Sequence, residues 1–332
     1  MRKTMTLLVL TLMTAVMATA EIPKRPVHTF SIVARDPATG DLGVAVQSHW
    51  FSVGTVVTWG EAGVGVVATQ SFADPAYGPR GLDLMRSGLD AGRALQALLE
   101  VDEGRDVRQI AFVDATGKVA AHTGSKCIEF AGHLVGKTYS VQANMMHGDR
   151  VVPAMAEAYE AAKGDLAERL LAALRAAQRE KGDIRGKQSA AMLIVKGEAS
   201  GRPWADRVLE LRVEDHTAPI EELGRLLTIH RAYKHMNAGD VAVEKGDMEL
   251  ARQEYVAAGT LAQDNLEVRY WQAVTLATTG HLEEALPLFR RVFEADARWV
   301  ELTSRLVKPG LIPDSEEGQQ LLGRILEQAP KE

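Results

Sequence analysis

The chain has 332 residues, a formal net charge of −6 and one cysteine, Cys127. The acidic balance argues against a nucleic-acid partner, and one cysteine excludes an intramolecular disulfide. A chain of this length can bury enough apolar surface for two domains, so its stability must come from packed cores. Cys127 itself is interpreted as a buried small hydrophobic residue rather than a nucleophile.

The start of the chain has the three parts of a secretory signal peptide. Arg2 and Lys3 supply a positive start, residues 7–17 form an apolar run, and residues 18–20 are Ala-Thr-Ala. A membrane span needs about 20 predominantly apolar residues, so this run is too short for an anchor. The sequence therefore predicts a cleavable signal peptide at 1–20, a periplasmic or secreted location, and a mature chain without a membrane span.

Alternating apolar residues and turn motifs divide the next part of the chain into strands and helices. Strands are predicted at 29–35, 42–47, 55–59, 64–70, 109–113, 118–121, 139–142, 189–195 and 208–213. Helices are predicted at 78–87, 89–100, 153–162 and 165–180. Because strands and helices come in blocks without a regular βαβ alternation, we expect an α+β fold of packed antiparallel sheets with helices outside them.

From residue 219 onward the chain is predicted to be helical, and it contains an internal repeat. The pattern Ala-x-x-x-aromatic occurs at 251–255 and 285–289, with start positions 34 residues apart, and Gly246 and Gly280 precede it at the same offset. This period resembles a tetratricopeptide repeat, with units at 232–265 and 266–299, although Gln263 and Ala297 replace the usual closing proline. Helices at 220–231 and 315–328 are expected to cap the two units.

Common catalytic and cofactor signatures are absent from the sequence. It has no G-x-S-x-G elbow, Walker loop, H-E-x-x-H motif or C-x-x-C pair. The nine histidines are scattered without the spacing of a metal site. We therefore predict neither a metal nor another cofactor.

Thr29 stands at the start of the first predicted strand, directly after a short leader at 21–28. A threonine hydroxyl is a poor nucleophile alone, but a free α-amino group on the same residue can accept its proton. That amine titrates at about pH 8 in model peptides, which suits a general base. The alternative is that Thr29 is an ordinary strand residue, and composition alone favours that interpretation.

Six segments carry a resemblance to a known family. The longest are HTFSIVARD at 28–36, GDLGVAVQS at 40–48, GVGVVATQS at 63–71 and GDIRGKQSA at 182–190, with RQIA at 108–111 and VQAN at 141–144 between them. Together they resemble the DUF1028 family, which is placed in the Ntn-hydrolase (N-terminal nucleophile) superfamily. The resemblance implies a four-layer αββα sandwich at 29–222, and the internal repeat predicts a tetratricopeptide-like helical domain at 223–332. It implies amide-bond hydrolysis by analogy with the superfamily.

The resemblance places Thr29 at the position of the superfamily's nucleophile. Ser31, on the same face of the strand, and Ser48, at the end of the second strand, compete with it. Gln70 ends the strand that leads into the first helix and is a candidate oxyanion donor or substrate ligand. Asn144 follows a strand and would donate an amide N–H to a developing oxyanion. The alternative for Gln70 is a strand-end hydrogen bond, and the alternative for Asn144 is a capped turn.

The candidate substrate-binding residues are Ser48, Ser71, Asp183, Arg185 and Ser189. Ser71 closes the same strand as Gln70. Asp183 and Arg185 lie in a glycine-flanked turn, where the pair would either orient the substrate or hold the turn itself. Ser189 begins the next strand and would point into the same region.

Removal of the signal peptide leaves Glu21 as the N-terminus, so the enzymatic hypothesis needs a second cut between His28 and Thr29. With that cut, we expect an exported hydrolase of a small-molecule or peptide-like amide, with a helical tail that docks a protein partner. Without it, the sandwich would be catalytically silent, and the chain would be a periplasmic binding or scaffold protein that works through its helical repeats. The sequence leaves the oligomeric state open, a homo-oligomer included.

Overall fold

The computed structural model of the chain describes residues 29–330, so the predicted signal peptide at 1–20 and the leader at 21–28 lie outside the described residues. The strands in that range are β1 Thr29–Arg35, β2 Leu42–Ser48, β3 Thr58–Glu61, β4 Gly65–Ser71, β5 Arg108–Asp114, β6 Val119–Thr123, β7 Gly132–Val135, β8 Tyr139–Ala143, β9 Ser189–Val195 and β10 Arg207–Val213. The helices are α1 Gly54–Val57, α2 Tyr77–Arg86, α3 Ala91–Val101, α4 Val151–Ala161, α5 Leu166–Arg179, α6 Pro219–Glu244, α7 Met248–Leu261, α8 Leu266–Thr278, α9 Leu282–Ala295, α10 Arg298–Ser304 and α11 Glu316–Leu326. None of these helices is both long enough and apolar enough to cross a membrane.

Two antiparallel sheets form the centre of the fold. One has six strands in the order β10-β9-β2-β1-β8-β7, and the other has four in the order β3-β4-β5-β6. Every strand pairs antiparallel with its neighbours. The predicted α+β class is therefore confirmed, and β1 lies near the middle of the larger sheet.

Three apolar cores separate the layers. The first lies between the six-stranded sheet and α4, α5 and the start of α6. The second lies between the two sheets, and the third between the four-stranded sheet and α2 and α3. Along β1, Phe30 and Ile32 belong to the first core and Val33 to the second, because successive side chains of a strand point to opposite faces. The order of layers is helix, sheet, sheet, helix.

Capping, leucine spacing and a strand glycine explain the position of α5 against the sheet. Asp165 caps the helix by accepting a hydrogen bond from Glu168 N at 3.0 Å. Leu166 and Leu170 lie one turn apart and are both buried against the sheet. A Cβ added at Gly43 of β2 would meet Leu170 Cδ1 at 2.7 Å, so this glycine lets the helix approach the strand closely. Full burial of each leucine contributes about 1.5–3 kcal/mol.

The structure differs from the sequence-based expectations at several elements. The strand predicted at 55–59 begins only at Thr58, because residues 54–57 form the helical turn α1. This turn is held from outside the segment: Ser189 Oγ accepts from Val53 N at 3.1 Å, and Gly54 packs closely on Ala191. Strand β7 was not predicted, since it is an edge strand and exposed for most of its length. The short helix α10 lies in the tail, which was predicted to be helical without separate bounds for this element.

The helical tail consists of consecutive packed pairs, α6 with α7 and α8 with α9. The glycines at positions 246 and 280 lie in the turns within these pairs, with φ of 75° and 88° respectively. The small and aromatic residues of the repeated pattern are buried: Ala251, Tyr255, Ala285 and Phe289. Helix α6 does not end at 231 as predicted but continues to Glu244, so one helix spans the predicted domain boundary at 222.

Candidate active site

Several predicted site residues form one row at a single end of the six-stranded sheet. Thr29 begins β1 and pairs in register with Ser48, the last residue of β2. Ser48 in turn pairs with Ser189, the first residue of β9. On the other side of β1, Asn144 directly follows β8 and donates its backbone N–H to the Thr29 carbonyl oxygen at 3.1 Å. All four residues are buried, so antiparallel pairing brings together residues that are far apart in sequence.

The four-stranded sheet contributes a second row that faces the first. Gln70 of β4 pairs in register with Gln109 of β5, and Gln109 pairs with Thr123 of β6. Strand alternation points Gln70 in the same direction as Val66 and Ala68, which belong to the core between the sheets. The space between the sheets is therefore apolar along most of its length and polar at the end that holds Thr29.

Hydrogen bonds run head to tail through this polar end. Ser140 Oγ donates to Gln142 Oε1 at 2.9 Å, and Gln142 Nε2 donates to Ser31 Oγ at 2.6 Å. Ser31 Oγ then donates to Gln70 Oε1 at 2.6 Å, and Gln70 Nε2 donates to Gln109 Oε1 at 2.7 Å. The successive hydrogen bonds of such a series polarise one another in a low-dielectric interior. The Ser31 proton is directed at Gln70, so Ser31 is a structural member of the chain and a weaker nucleophile candidate than Thr29.

Gln109 is the junction of the network. Its Oε1 accepts from Asn144 Nδ2 at 2.8 Å as well as from Gln70 Nε2. The two N–H groups on its Nε2 are shared among three oxygens: Thr123 Oγ1 at 2.9 Å and the carbonyls of Ala143 at 2.9 Å and Gly132 at 3.1 Å. A single buried amide thus fixes the orientation of two predicted site residues. Sequence reasoning missed Gln109 and Gln142, although each is a glutamine in a predicted strand.

The immediate surroundings of Thr29 are hydroxyl and amide groups. Thr29 Oγ1 donates to Ser48 Oγ at 3.4 Å, which is a long contact. The Thr29 carbonyl oxygen also accepts from Gln70 Nε2 at 3.3 Å. Asn144 Nδ2 lies 3.5 Å from the same oxygen. The sequence-predicted nucleophile and the two predicted oxyanion donors are therefore adjacent in the fold.

Asp183 and Arg185 hold a turn beside this row. Asp183 is fully buried at its side chain, and its carboxylate accepts from Arg185 Nη2 at 2.7 Å and Nε at 3.1 Å. It also accepts from the backbone N–H of Arg185 at 2.9 Å and of His49 at 3.2 Å. His49 follows Ser48, so the carboxylate ties the 182–188 turn to the end of β2. Of the two predicted roles, these contacts favour holding the turn.

Ser189 and Ser71 lie at strand ends with different surroundings. The Ser189 hydroxyl donates to the Trp50 carbonyl and accepts from the Val53 N–H, so it fixes the loop that follows β2. Ser71 adopts a φ of 70° at the end of β4 and is a neighbour of Cys127. Burial raises the pKa of the half-buried Cys127 thiol, and the buried Ser71 hydroxyl makes no hydrogen bond within residues 29–330. Cys127 is less buried than predicted, and its raised pKa disfavours the thiolate.

Backbone strain concentrates at the same end of the sandwich. Within residues 29–330, every non-glycine residue with positive φ lies in a segment that follows or precedes these strand ends: Ser52, Ser71, Phe130, Met145 and Lys181. The left-handed conformation costs about 1–2 kcal/mol for a residue with a Cβ. Such strain accumulates at functional sites, where the surrounding structure maintains it.

A cavity of about 570 Å³ opens beside the network. Its lining includes Thr123 and Gly132, whose oxygens accept from Gln109. His133 also lines it, and its Nδ1 lies 2.8 Å from Thr123 Oγ1. Burial, followed by the charge of His122, lowers the pKa of His133, which favours the neutral ring. Across the described residues there is no cluster of three or more His, Cys, Asp or Glu side chains that would hold a metal ion.

Residues 29–223 match the family of unknown function DUF1028, and the chain belongs to this family. It is similar to the crystal structure of protein SPO2555 from Silicibacter pomeroyi, a member of the same family, with 33% identity and a TM-score of 0.54. The similarity covers 60% of this chain and 88% of that protein. No curated protein matches the chain.

Proposed function

We propose that the protein is an exported amide-bond hydrolase of the Ntn type, with Thr29 as its N-terminal nucleophile. The observation that carries this proposal is the position of Thr29 at the start of a central strand, in contact with Ser48 and with the amides of Gln70 and Asn144. The layer order helix, sheet, sheet, helix and the family membership from residue 29 onward support it. The strained segments around the same strand ends are a second support.

Maturation would free the α-amine of Thr29. Its hydroxyl oxygen attacks the carbonyl carbon of the His28–Thr29 bond, and the C–N bond breaks as the acyl group moves to that oxygen. The former peptide nitrogen takes up the hydroxyl proton and becomes the α-amine. Water then hydrolyses the ester, which releases the leader as a carboxylic acid and restores the threonine hydroxyl.

Turnover would use the same oxygen and the new amine. The α-amine takes the hydroxyl proton while the oxygen attacks the substrate's amide carbon. The substrate C–N bond breaks, the leaving amine carries away that proton, and a threonine ester remains. Water hydrolyses this ester in the second half-reaction, with the α-amine as general base.

The surrounding residues supply orientation and charge stabilisation in this proposal. Gln70 and Asn144 each direct one amide N–H at Gln109 and the other, over a long contact, at the Thr29 carbonyl oxygen. The second N–H group of each would turn to the developing oxyanion. Gln109 accepts from both and so holds them in place. Ser48 orients the Thr29 hydroxyl, and Asp183 keeps the adjacent turn closed. The substrate would be a small-molecule or peptide-like amide.

N-terminal sequencing and intact mass of the purified mature protein test the proposal. Wild-type protein should begin at Thr29, whereas Thr29→Ala should begin at Glu21 if the second cut is autocatalytic. Thr228→Ala, an exposed threonine on α6, serves as the matched control and should mature normally. A wild-type protein that retains Glu21 while it hydrolyses an amide would exclude this mechanism.

A second candidate function is a catalytically silent scaffold whose helical tail binds a protein partner. Exposed apolar side chains on α6 and α7 favour it: Val241, Val243, Met248, Leu250, Val256 and Leu261. An electrophilic probe for N-terminal nucleophiles separates the two candidates, since it should label one site in the hydrolase and none in the scaffold. In the scaffold, Leu250→Glu in the full chain should abolish partner binding, and sedimentation would reveal whether the partner is a second copy.

A further inference from the structure

A second cavity lies at the opposite end of the six-stranded sheet from Thr29. Strand β9 begins at Ser189 in the candidate active site and ends at Val195, a distance of about 20 Å for a strand of this length. Lys196, the next residue, lines a cavity of about 560 Å³ between the edge strand β10 and helix α6. A volume of this size is typical of small-molecule sites.

Most of the charged side chains in the lining of this cavity are cationic. Lys196, Arg207 and Lys234 line it, and Asp41 is the one acidic residue in the lining. Lys196 pairs with Asp206 at 3.6 Å, and Arg207 pairs with Glu210. Lys234 makes no ion pair with any residue in the range 29–330, so its charge is available to a ligand.

The wall of the cavity carries two further features of a binding site. The pairing register of β10 with β9 shifts between Arg207 and Leu209, which places a bulge at Val208 in the lining. Bulges are common next to binding sites, where they redirect side chains. His230 on α6 hydrogen-bonds to the Val208 backbone. Burial and then the charge of Lys234 lower the pKa of His230, so a neutral ring stands beside the cationic groups.

We propose that this cavity binds a small phosphate monoester. A phosphate monoester carries about −1.5 to −2 charges at neutral pH, which matches several cations around one space better than a single carboxylate does. Lysine and arginine are the side chains that recognise phosphate oxygens. Tyr233 and Val208 supply an apolar wall, and Asn237 supplies an amide for the non-phosphate part of the ligand. This site is separate from Thr29, so the proposal does not depend on hydrolase activity.

Calorimetric titration of the full mature protein with glycerol 3-phosphate, inorganic phosphate and glycerol at constant ionic strength tests the proposal. We expect saturable binding of glycerol 3-phosphate and none of glycerol. Inorganic phosphate should bind more weakly than the ester, and equal affinity would overturn the organic-ligand assignment. Lys234→Gln and Lys196→Gln should each weaken binding by about tenfold or more, since a charge-assisted hydrogen bond is lost.

Lys245→Gln provides the matched control, because it removes the same charge from the exposed end of α6. It should leave affinity unchanged. An equal loss in this control, or no saturable binding of either phosphate by the wild-type protein, would overturn the proposal. If Lys234→Gln fails to fold, the exposed Arg207→Gln replaces it and carries the same expectation.

Discussion

The hydroxyl oxygen of Thr29 lies 3.4 Å from that of Ser48, its register partner on β2. This relationship gives Ser48 a positioning role in the proposed reaction. Ser48→Ala should slow both leader removal and turnover by up to about tenfold, which corresponds to one hydroxyl hydrogen bond. Intact mass over a maturation time course and the rate of probe labelling measure the two effects.

Ser31→Ala is the informative comparison for that variant. Its hydroxyl bonds Gln70 and Gln142 rather than Thr29, so its removal should lower the free energy of unfolding while maturation still yields Thr29 at the N-terminus. A mature N-terminus at Ser31 in both the wild type and Thr29→Ala, with loss of processing in Ser31→Ala, would instead identify Ser31 as the nucleophile.

Gln109→Leu should destabilise the protein by about 3 kcal/mol, because two buried N–H groups, on Gln70 and Asn144, lose their shared acceptor. Urea unfolding followed by circular dichroism measures the difference. Gln96→Leu makes the same exchange at an exposed position of α3 and should stay within about 0.5 kcal/mol of the wild type. Equal stability of the two variants would show that Gln109 is not the junction of the network.

The sequence predicted the strands that carry the candidate site, but it did not predict the role of Gln109. Strand β1 was predicted with its exact ends, because residues 29–35 alternate clearly and a turn follows. The candidate residues Thr29, Ser48 and Ser189 meet because antiparallel pairing aligns the ends of their strands.

The importance of Gln109 depends on two sheets facing each other, which no local pattern specifies. The same holds for α1, where strand-forming residues such as Val56 and Val57 adopt a helical turn because Ser189 and Ala191 hold it there. Tertiary contacts override β-propensity at such positions.

Asp183→Asn should loosen the turn beside β2 and destabilise the protein by about 2 kcal/mol. The substitution removes the buried carboxylate, so Arg185 loses its charged partner. Part of the effect is discounted because Arg185 is 28% exposed at its side chain. Hydrogen exchange should increase in residues 49–53 and 180–188. Asp215→Asn, at an exposed position of the same sheet end, should change neither quantity; equal exchange in both variants would contradict the assigned role.

The Asp102–Arg108 pair predicts a pH dependence of stability. Burial alone would raise the pKa of the Asp102 carboxyl, but hydrogen bonds from Arg108, Tyr77 and a backbone N–H hold it below its ordinary value of 3.8. At pH values near and below 3.8, the Asp102 carboxylate therefore binds a proton more readily in the unfolded chain than in the native one. The stabilisation is fully present above the unfolded value and is lost as the pH falls from there through the lower native pKa.

The variant Asp102→Asn tests the direction of this pH dependence. At pH 7 it should cost about 3 kcal/mol, because Arg108 is only 4% exposed at its side chain and loses its charged partner. The difference from the wild type should shrink as the pH is lowered below the ordinary carboxyl value. Asp149→Asn, which is exposed, should show no such convergence. A wild-type advantage that grows toward acid pH would contradict the lowered pKa.

Two helix glycines of the tail should respond in opposite directions to the same substitution. A Cβ at Gly239 of α6 would lie 2.6 Å from the ring of Tyr255, which is buried and bonded through its hydroxyl to Asp240. Gly239→Ala should therefore cost about 1–3 kcal/mol through overpacking. At Gly323 of α11 no atom lies within 4 Å of the added Cβ, so Gly323→Ala should stabilise the protein by up to about 1 kcal/mol through helix propensity. Thermal unfolding measures both. If Gly239→Ala were also stabilising, the close contact between α6 and α7 would not limit the packing of the first helix pair.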